Sequence, residues 1–358
     1  MARKGEVELI PEVYALDGIP LPRQRANLIG HGATEFALLN AYRSDRLHHA
    51  WILGGPKGIG KATLAFRFAK YVIAHPDRFG SVVAEASDLS LPADDPVFRQ
   101  VQAGGHPNIL HLRRPWDDKG KRFKADLPVD EVRKTVSFFG TTASARAWRV
   151  CIVDSADEMN ANSANALLKI LEEPPAQCLF LVLSHAPGRL LPTIRSRCRR
   201  LDMAPLQTDE LEIGLNELAP GQIEDRSHLE DLTHFADGSL RSALTLLSGD
   251  GLAITRGFVG LAAAAPSIDV PALHGLSDLV SARGQEDNWQ SFQHIARTWV
   301  HSQMREDTRV AARNLLFWTQ LWDRINASIR ETDALNLDRK QVVLDFFFQL
   351  AKRPSTTA

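Results

Sequence analysis

The clearest alternation of apolar and polar positions lies between residues 149 and 200. Residues 150–153 and 178–183 are uninterrupted apolar runs that end on Asp154 and Ser184. Runs of this length read as strands buried on both faces, the habit of parallel sheets covered by helices. Between them Ala164, Leu167, Leu168 and Leu171 recur at helical spacing, residues 160–163 offer caps, and Pro174-Pro175 forbids continuation. The three segments predict a βαβ unit, with its polar residues at the carboxyl ends of the strands, where open α/β sheets bind ligands. Asp154 and Ser184 are therefore the first candidate site residues.

The same reading extends along the chain. Residues 1–24 mix charge with Pro11, Pro20 and Pro22 without periodicity and predict a loosely held arm. Residues 27–46 predict a helix capped by Thr34, with Phe36, Leu39 and Tyr42 along one side and a stop after Arg43. A strand at 51–53, a glycine-rich loop at 54–60 and a helix burying Leu64, Phe68 and Val72 follow. Residues 75–105 form a surface excursion with a short helix near 97–101, and 106–112 resume a strand. The charged stretch 113–128 carries Lys119, Lys121, Arg122 and Lys124, either as a solvated hairpin or as a nucleic-acid contact. Val129, Val132, Val136 and Phe139 mark the next helix.

After Pro205 the pattern becomes helical throughout. Helices are expected at 208–218 and 229–235, and from Ser239 with Leu240, Ala243, Leu244 and Leu247 on one side. Leu315, Trp318, Trp322, Ile325 and Ile329 alternate steps of three and four, the spacing of a helix–helix seam. Val343, Phe346, Phe347 and Leu350 repeat it, and residues 352–358 are expected to fray.

Composition narrows the class. A chain of 358 residues with 44% hydrophobic and 24% charged side chains fits a globular protein of two or three domains. The net charge of -1 carries no overall nucleic-acid footprint, so any DNA contact would be local. Cys151, Cys178 and Cys198 lack metal-ligand spacing and sit at expected buried positions, which points to a reducing, cytoplasmic setting. No apolar run reaches the roughly 20 residues that span a bilayer, and no signal-peptide segment opens the chain, so no membrane role is expected.

Candidate chemistry centres on the glycine loop. Gly55, Gly58, Gly60 and Lys61 fit G-x-x-x-x-G-K between a strand and a helix, where backbone N–H groups, the helix terminus and an ammonium converge on phosphates. The next position, which should give a hydroxyl to Mg²⁺, is Ala62, and Thr63 is turned about 100° around the helix from it. Asp154 stands where a metal-holding aspartate belongs, but the following base position is Ser155, with Asp157 and Glu158 beyond the strand tip. Losing both the metal hydroxyl and the base predicts little or no hydrolysis, with ATP or ADP held weakly or not at all. The rival is an autonomous ATPase with a metal site rearranged around Thr63 and Asp157. Arg195, Arg197, Arg199 and Arg200 read as a solvated turn, as a DNA phosphate patch, or as the source of an arginine inserted into a neighbour's nucleotide site.

ALLKILEEPP at 166–175, an apolar strand and TIRSRC at 193–198 together resemble the clamp-loader branch of the AAA+ ATPases. HHAWILGGPKGIGK at 48–61, QAGGHPNILHL at 102–112 and GSLRSAL at 238–244 extend the resemblance over more than half the chain. It implies an α/β AAA+ P-loop domain with a parallel sheet at 25–204, a small helical lid at 205–255 and an all-α collar at 256–358, after the arm at 1–24. It also implies that Arg197 acts in trans as an arginine finger and that Arg241 takes the sensor-2 place toward a γ-phosphate. Ala62 and Ser155 suit the branch's non-hydrolysing stator. Implied partners are the gamma and tau motor subunits, a delta subunit, a sliding clamp and, through the assembly, primed DNA. The branch commonly carries a four-cysteine zinc module before the 106–112 strand, but residues 75–105 hold no cysteine, so no zinc is expected. Glu172 and Glu173 end a helix, where negative charge opposes the macrodipole and can mark a contact.

Overall fold

A computed structural model describes residues 12–13, 15–44, 47–120, 122–140, 147–223, 226–306 and 312–353. Most of the expected arm, the cation Lys121 and the end of the tail lie outside the described residues. The chain divides into two compact units, Met1–Leu206 and Gln207–Ala358.

In the first unit, a single 3-10 turn at Pro22–Gln24 precedes α1 (Gly32–Arg43), β1 (Ala50–Gly54) and α2 (Lys61–Ala74). Two short helices, α3 (Ser81–Glu85) and α4 (Pro96–Gln102), fill the excursion before β2 (Ile109–Leu112). A two-stranded ribbon, β3 (Trp116–Asp117) and β4 (Arg122–Phe123), precedes α5 (Val129–Gly140) and β5 (Arg149–Val153). Then come α6 (Ala161–Glu172), β6 (Cys178–Ser184), α7 (Pro192–Arg195) and β7 (Arg199–Asp202). The charged stretch is thus a hairpin, with Trp116 and Phe123 edge to face at 5.0 Å.

Five parallel strands form one sheet in the order β2-β5-β6-β1-β7. Alternate side chains of each strand serve opposite faces. Trp51, Leu53, Val150, Ile152, Leu179 and Leu181 pack with α1 and α2, whereas Ala50, Ile52, Cys151, Val153, Phe180 and Val182 pack with α5 and α6. Covering both faces is what makes the central strands β1, β5 and β6 largely apolar. Asn160 caps α6 by accepting from the Ser163 N–H at 3.0 Å, and the helix stops at Glu172 before the proline pair.

Several local expectations are corrected. α1 starts at Gly32 behind His31, which has left-handed backbone, so Thr34 is not the cap. Phe36 is exposed beneath the Arg43 guanidinium, and Leu38 with Leu39 forms the buried side. On α5 the inward position is Thr135 and Val136 faces water, because the hydroxyl bonds the Val132 carbonyl at 2.5 Å and needs no outside partner. Arg199–Asp202 is an edge strand that local pattern did not suggest, since its apolar content is a single leucine.

The second unit contains α8 (Thr208–Leu218), α9 (Arg226–Ala236), α10 (Leu240–Leu247) and α11 (Gly251–Ala264). It continues with α12 (Val270–Val280), α13 (Glu286–Glu306), α14 (Ala312–Leu335) and α15 (Arg339–Leu350). Residue 255, the expected lid–collar division, lies inside α11. The core is aromatic: Phe258 packs against Phe292, Trp299, Phe346 and Phe347. On α14 the seam runs through Trp318, Leu321, Ile325 and Ile329, while Leu315 is exposed. Buried Asn288 ties elements together, accepting from the Asp250 N–H and donating to the Asp250 carboxylate and the Leu279 carbonyl. No helix among the described residues is long and apolar enough to cross a membrane.

Candidate functional site

The glycine loop links β1 to α2 at the carboxyl end of the sheet. Gly55, Gly58 and Gly60 have φ of 141°, 82° and 117°, values that side-chain-bearing residues rarely adopt. Gly55 is further constrained, because a Cβ there would stand 2.4 Å from the Met203 carbonyl oxygen. The backbone can therefore turn tightly into the first N–H groups of α2.

Lys61 is turned inward. Its Nζ donates to the carbonyl oxygens of Gly55 at 2.6 Å and Pro56 at 2.5 Å, and the residue is 4% exposed. Burial pushes its pKa down to about 8, against the opposing pull of Asp157 and Asp154. His185 lies near the same cations; burial, then Lys61, push its pKa to about 4, so its ring is neutral at pH 7.

The acidic residues are committed as well. Asp154 Oδ2 lies 3.4 Å from His111 Nε2. Burial works to raise the Asp154 pKa, but His111, His185 and the Ser155 hydroxyl overcome it and hold the group below the ordinary carboxylate range. Asp157 folds back onto the end of β6. Its Oδ1 accepts from Ser184 Oγ at 2.7 Å and from the Ala186 N–H at 3.2 Å, and its Oδ2 accepts from the His185 N–H at 2.5 Å. Ser184 is fully buried, and its hydroxyl serves this turn, not an open cleft.

Magnesium favours near-octahedral oxygen ligation. Ala62 brings no hydroxyl, Thr63 is buried on α2, Asp157 is occupied by three donors, and Asp154 leans on His111. The residues present do not fit a magnesium site of the usual phosphate-loop kind. Among the described residues no three His, Cys, Asp or Glu side chains converge as metal ligands.

Arg197 is half-buried at the surface, away from the loop. It follows α7, with Nη2 2.8 Å from Glu172 Oε1 and Nη1 donating to the Thr193 carbonyl at 3.1 Å. Glu172, at the end of α6, thus has its own local partner. Arg199 stacks over the Trp51 ring at 5.3 Å, and Arg200 Nε pairs with Asp202 at 2.8 Å. These arginines have separate partners. Arg241 stands on the first turn of α10 in the second unit.

The structure therefore gathers Gly55, Gly58, Gly60, Lys61, Asp154 and Ser184 at one end of the sheet, with Thr63 buried behind the loop. Sequence reasoning passed over His31, His111 and His185. His31 Nε2 lies 2.8 Å from the Ile59 carbonyl oxygen within the loop. For His111 a signal existed, since strand alternation puts it on the face opposite Leu110 and Leu112.

The profile of the family described as "DNA polymerase III, delta subunit" matches residues 31–207. DNA polymerase III subunit delta' of Pseudomonas aeruginosa is 39% identical over 150 residues, 42% of this chain and 41% of that protein. DNA polymerase III subunit gamma of Buchnera aphidicola is 28% identical over 229 residues, 63% of this chain and 58% of that protein. The chain thus spans about two fifths to three fifths of the length of these curated relatives. A gamma subunit-related protein from Thermotoga maritima superposes with a TM-score of 0.44 at 15% identity, over 89% of this chain and 99% of that one. The parallel α/β sheet, the phosphate-loop turn and the sequence matches agree: over residues 31–207 the chain is similar to the DNA polymerase III delta-subunit family and to its delta' relatives.

Proposed function

We propose that this chain is the delta' stator of a clamp loader and lends Arg197 to the ATP site of a neighbouring motor subunit. The assembly would join gamma or tau motor subunits, a delta subunit, a sliding clamp and primed DNA in a reducing cytoplasm. The observation that carries this reading is the contrast in availability. Arg197 is half-buried but reaches water, held by exposed Glu172 and Thr193, while Lys61 is bound to the glycine loop's own carbonyls and Asp157 to the turn after β6.

In this role the glycine loop holds ATP or ADP weakly or stays empty, and the isolated chain hydrolyses little or none. The rival metal site on Thr63 and Asp157 is disfavoured because Thr63 is buried and both oxygens of Asp157 already accept, three hydrogen bonds in all. An arginine completing a nucleotide site in trans contributes about 10³ to 10⁵ in rate, or about 4–7 kcal/mol of barrier. Arg197→Ala in the reconstituted loader should lower turnover at the served site by about 10³ or more, with the assembly still eluting as one complex. Unchanged clamp- and DNA-stimulated turnover would refute the reading.

A further inference from the structure

Away from the loop, the first unit contains a cavity of about 330 Å³ between α2, the end of α4, β2 and the segment before α1. That volume falls in the range of small-molecule sites. One wall is apolar, with Phe66 edge to face against His111 at 5.1 Å, and another is cationic, built from Arg23 and Arg113.

The cationic wall has already demonstrated its chemistry on a group from the same chain. Glu12 bridges both guanidiniums, with Oε1 2.6 Å from Arg23 Nη1 and Oε2 paired to Arg113. Burial works to raise the Glu12 pKa, and Arg113 with Arg23 more than reverses it. Two cations against one carboxylate leave a positive charge over. Arg23 Nε is buried and has no hydrogen-bond acceptor among the described residues. An unmet buried donor is costly and calls for a partner. His106, also in the wall, accepts the Asn108 N–H through Nδ1 at 3.1 Å, which leaves Nε2 as the proton-bearing nitrogen.

We propose that this cavity binds a small phosphomonoester with an apolar body, its head group held by Arg23 and Arg113 and its body laid against Phe66. A phosphomonoester has three acceptor oxygens and up to two negative charges, so it matches both the surplus cation and the unmet donor better than a monocarboxylate does. Guanidinium forks bind such groups through paired hydrogen bonds.

The test is titration of the full chain with phenyl phosphate, inorganic phosphate and benzoate, followed by calorimetry and by the histidine ring signals in NMR spectra. Lys61→Ala removes the glycine loop's cation and separates the two anion sites. The expected result is saturable phenyl phosphate binding that survives Lys61→Ala, is tighter than that of inorganic phosphate or benzoate, and shifts the His106 and His111 rings. Arg23→Gln and Arg113→Gln should each weaken it by about tenfold or more. Arg113 is the more exposed of the two, so its variant serves if Arg23→Gln melts early, and the histidine shifts need no variant. Absence of saturable binding, loss of binding in Lys61→Ala, full affinity in Arg113→Gln, or benzoate binding as tightly as phenyl phosphate would overturn the assignment.

Discussion

Two sets of charged side chains in the first unit follow opposite rules. Around the glycine loop, Lys61, Asp154 and Asp157 are drawn inward and matched to carbonyls, a histidine and backbone N–H groups. At the corner after α7, Arg197 meets Glu172 where both reach water. A buried charge is expensive to leave unpaired, so its partners fix it in one arrangement. An exposed pair contributes about 0–1 kcal/mol and can be exchanged for another partner at small cost. The inward set is suited to holding shape, and the outward set to meeting another molecule.

Perturbing the inward set should therefore cost far more. The largest effect is expected for Glu35→Ala, a buried acid on α1 that meets α2. Glu35 is almost fully buried, pairs with Arg67 at 2.7 Å and accepts the Leu89 N–H, so its removal should cost about 3–5 kcal/mol in denaturant melts. A loss below about 1 kcal/mol would mean that burial does not set the rule.

Next comes pH. Lys61 has a native pKa of about 8 against 10.5 when unconstrained, and below 8 both states hold the proton. Between these values the unfolded chain keeps a proton that the native state has lost, so stability should rise with pH, by on the order of 3 kcal/mol for this group. Lys70, also buried and lowered to about 8, adds a rise of the same sign. Lys61→Met should remove about half of the combined slope, and an unchanged slope would show that the lysine is not buried as a charge. Asp157→Ala should cost about 2 kcal/mol by leaving Ser184, His185 and Ala186 donors without an acceptor. At the far end of the scale, Glu172→Gln should change the melting free energy by less than about 1 kcal/mol, and a larger loss would erase the contrast.

How much of this was visible beforehand depends on whether the determining partner is near in sequence. The βαβ unit and the glycine loop are written in consecutive residues, and the structure follows them closely. Glu35 is buried and Phe36 faces water because Arg67, on the next helix, makes the acid's burial favourable, which no local pattern can announce. β7 was missed for a similar reason, since its strand character comes from pairing with β1, and three charged residues around one leucine look like a turn when read alone. Asp157 was noted as needing to fold back, but its three donors belong to a segment 27 to 29 positions later. Its commitment is a property of the fold.

β7 has one more consequence. The turn that bears Arg197 runs straight into this strand, and at its far end Met203 donates to the Gly54 carbonyl at 2.8 Å while Asp202 crowds the glycine. Four residues of strand span about 13 Å. In the proposed role, a neighbour gripping the guanidinium would pull one end of a rod whose other end props the loop from beneath, so that engagement outside would be mechanically legible inside.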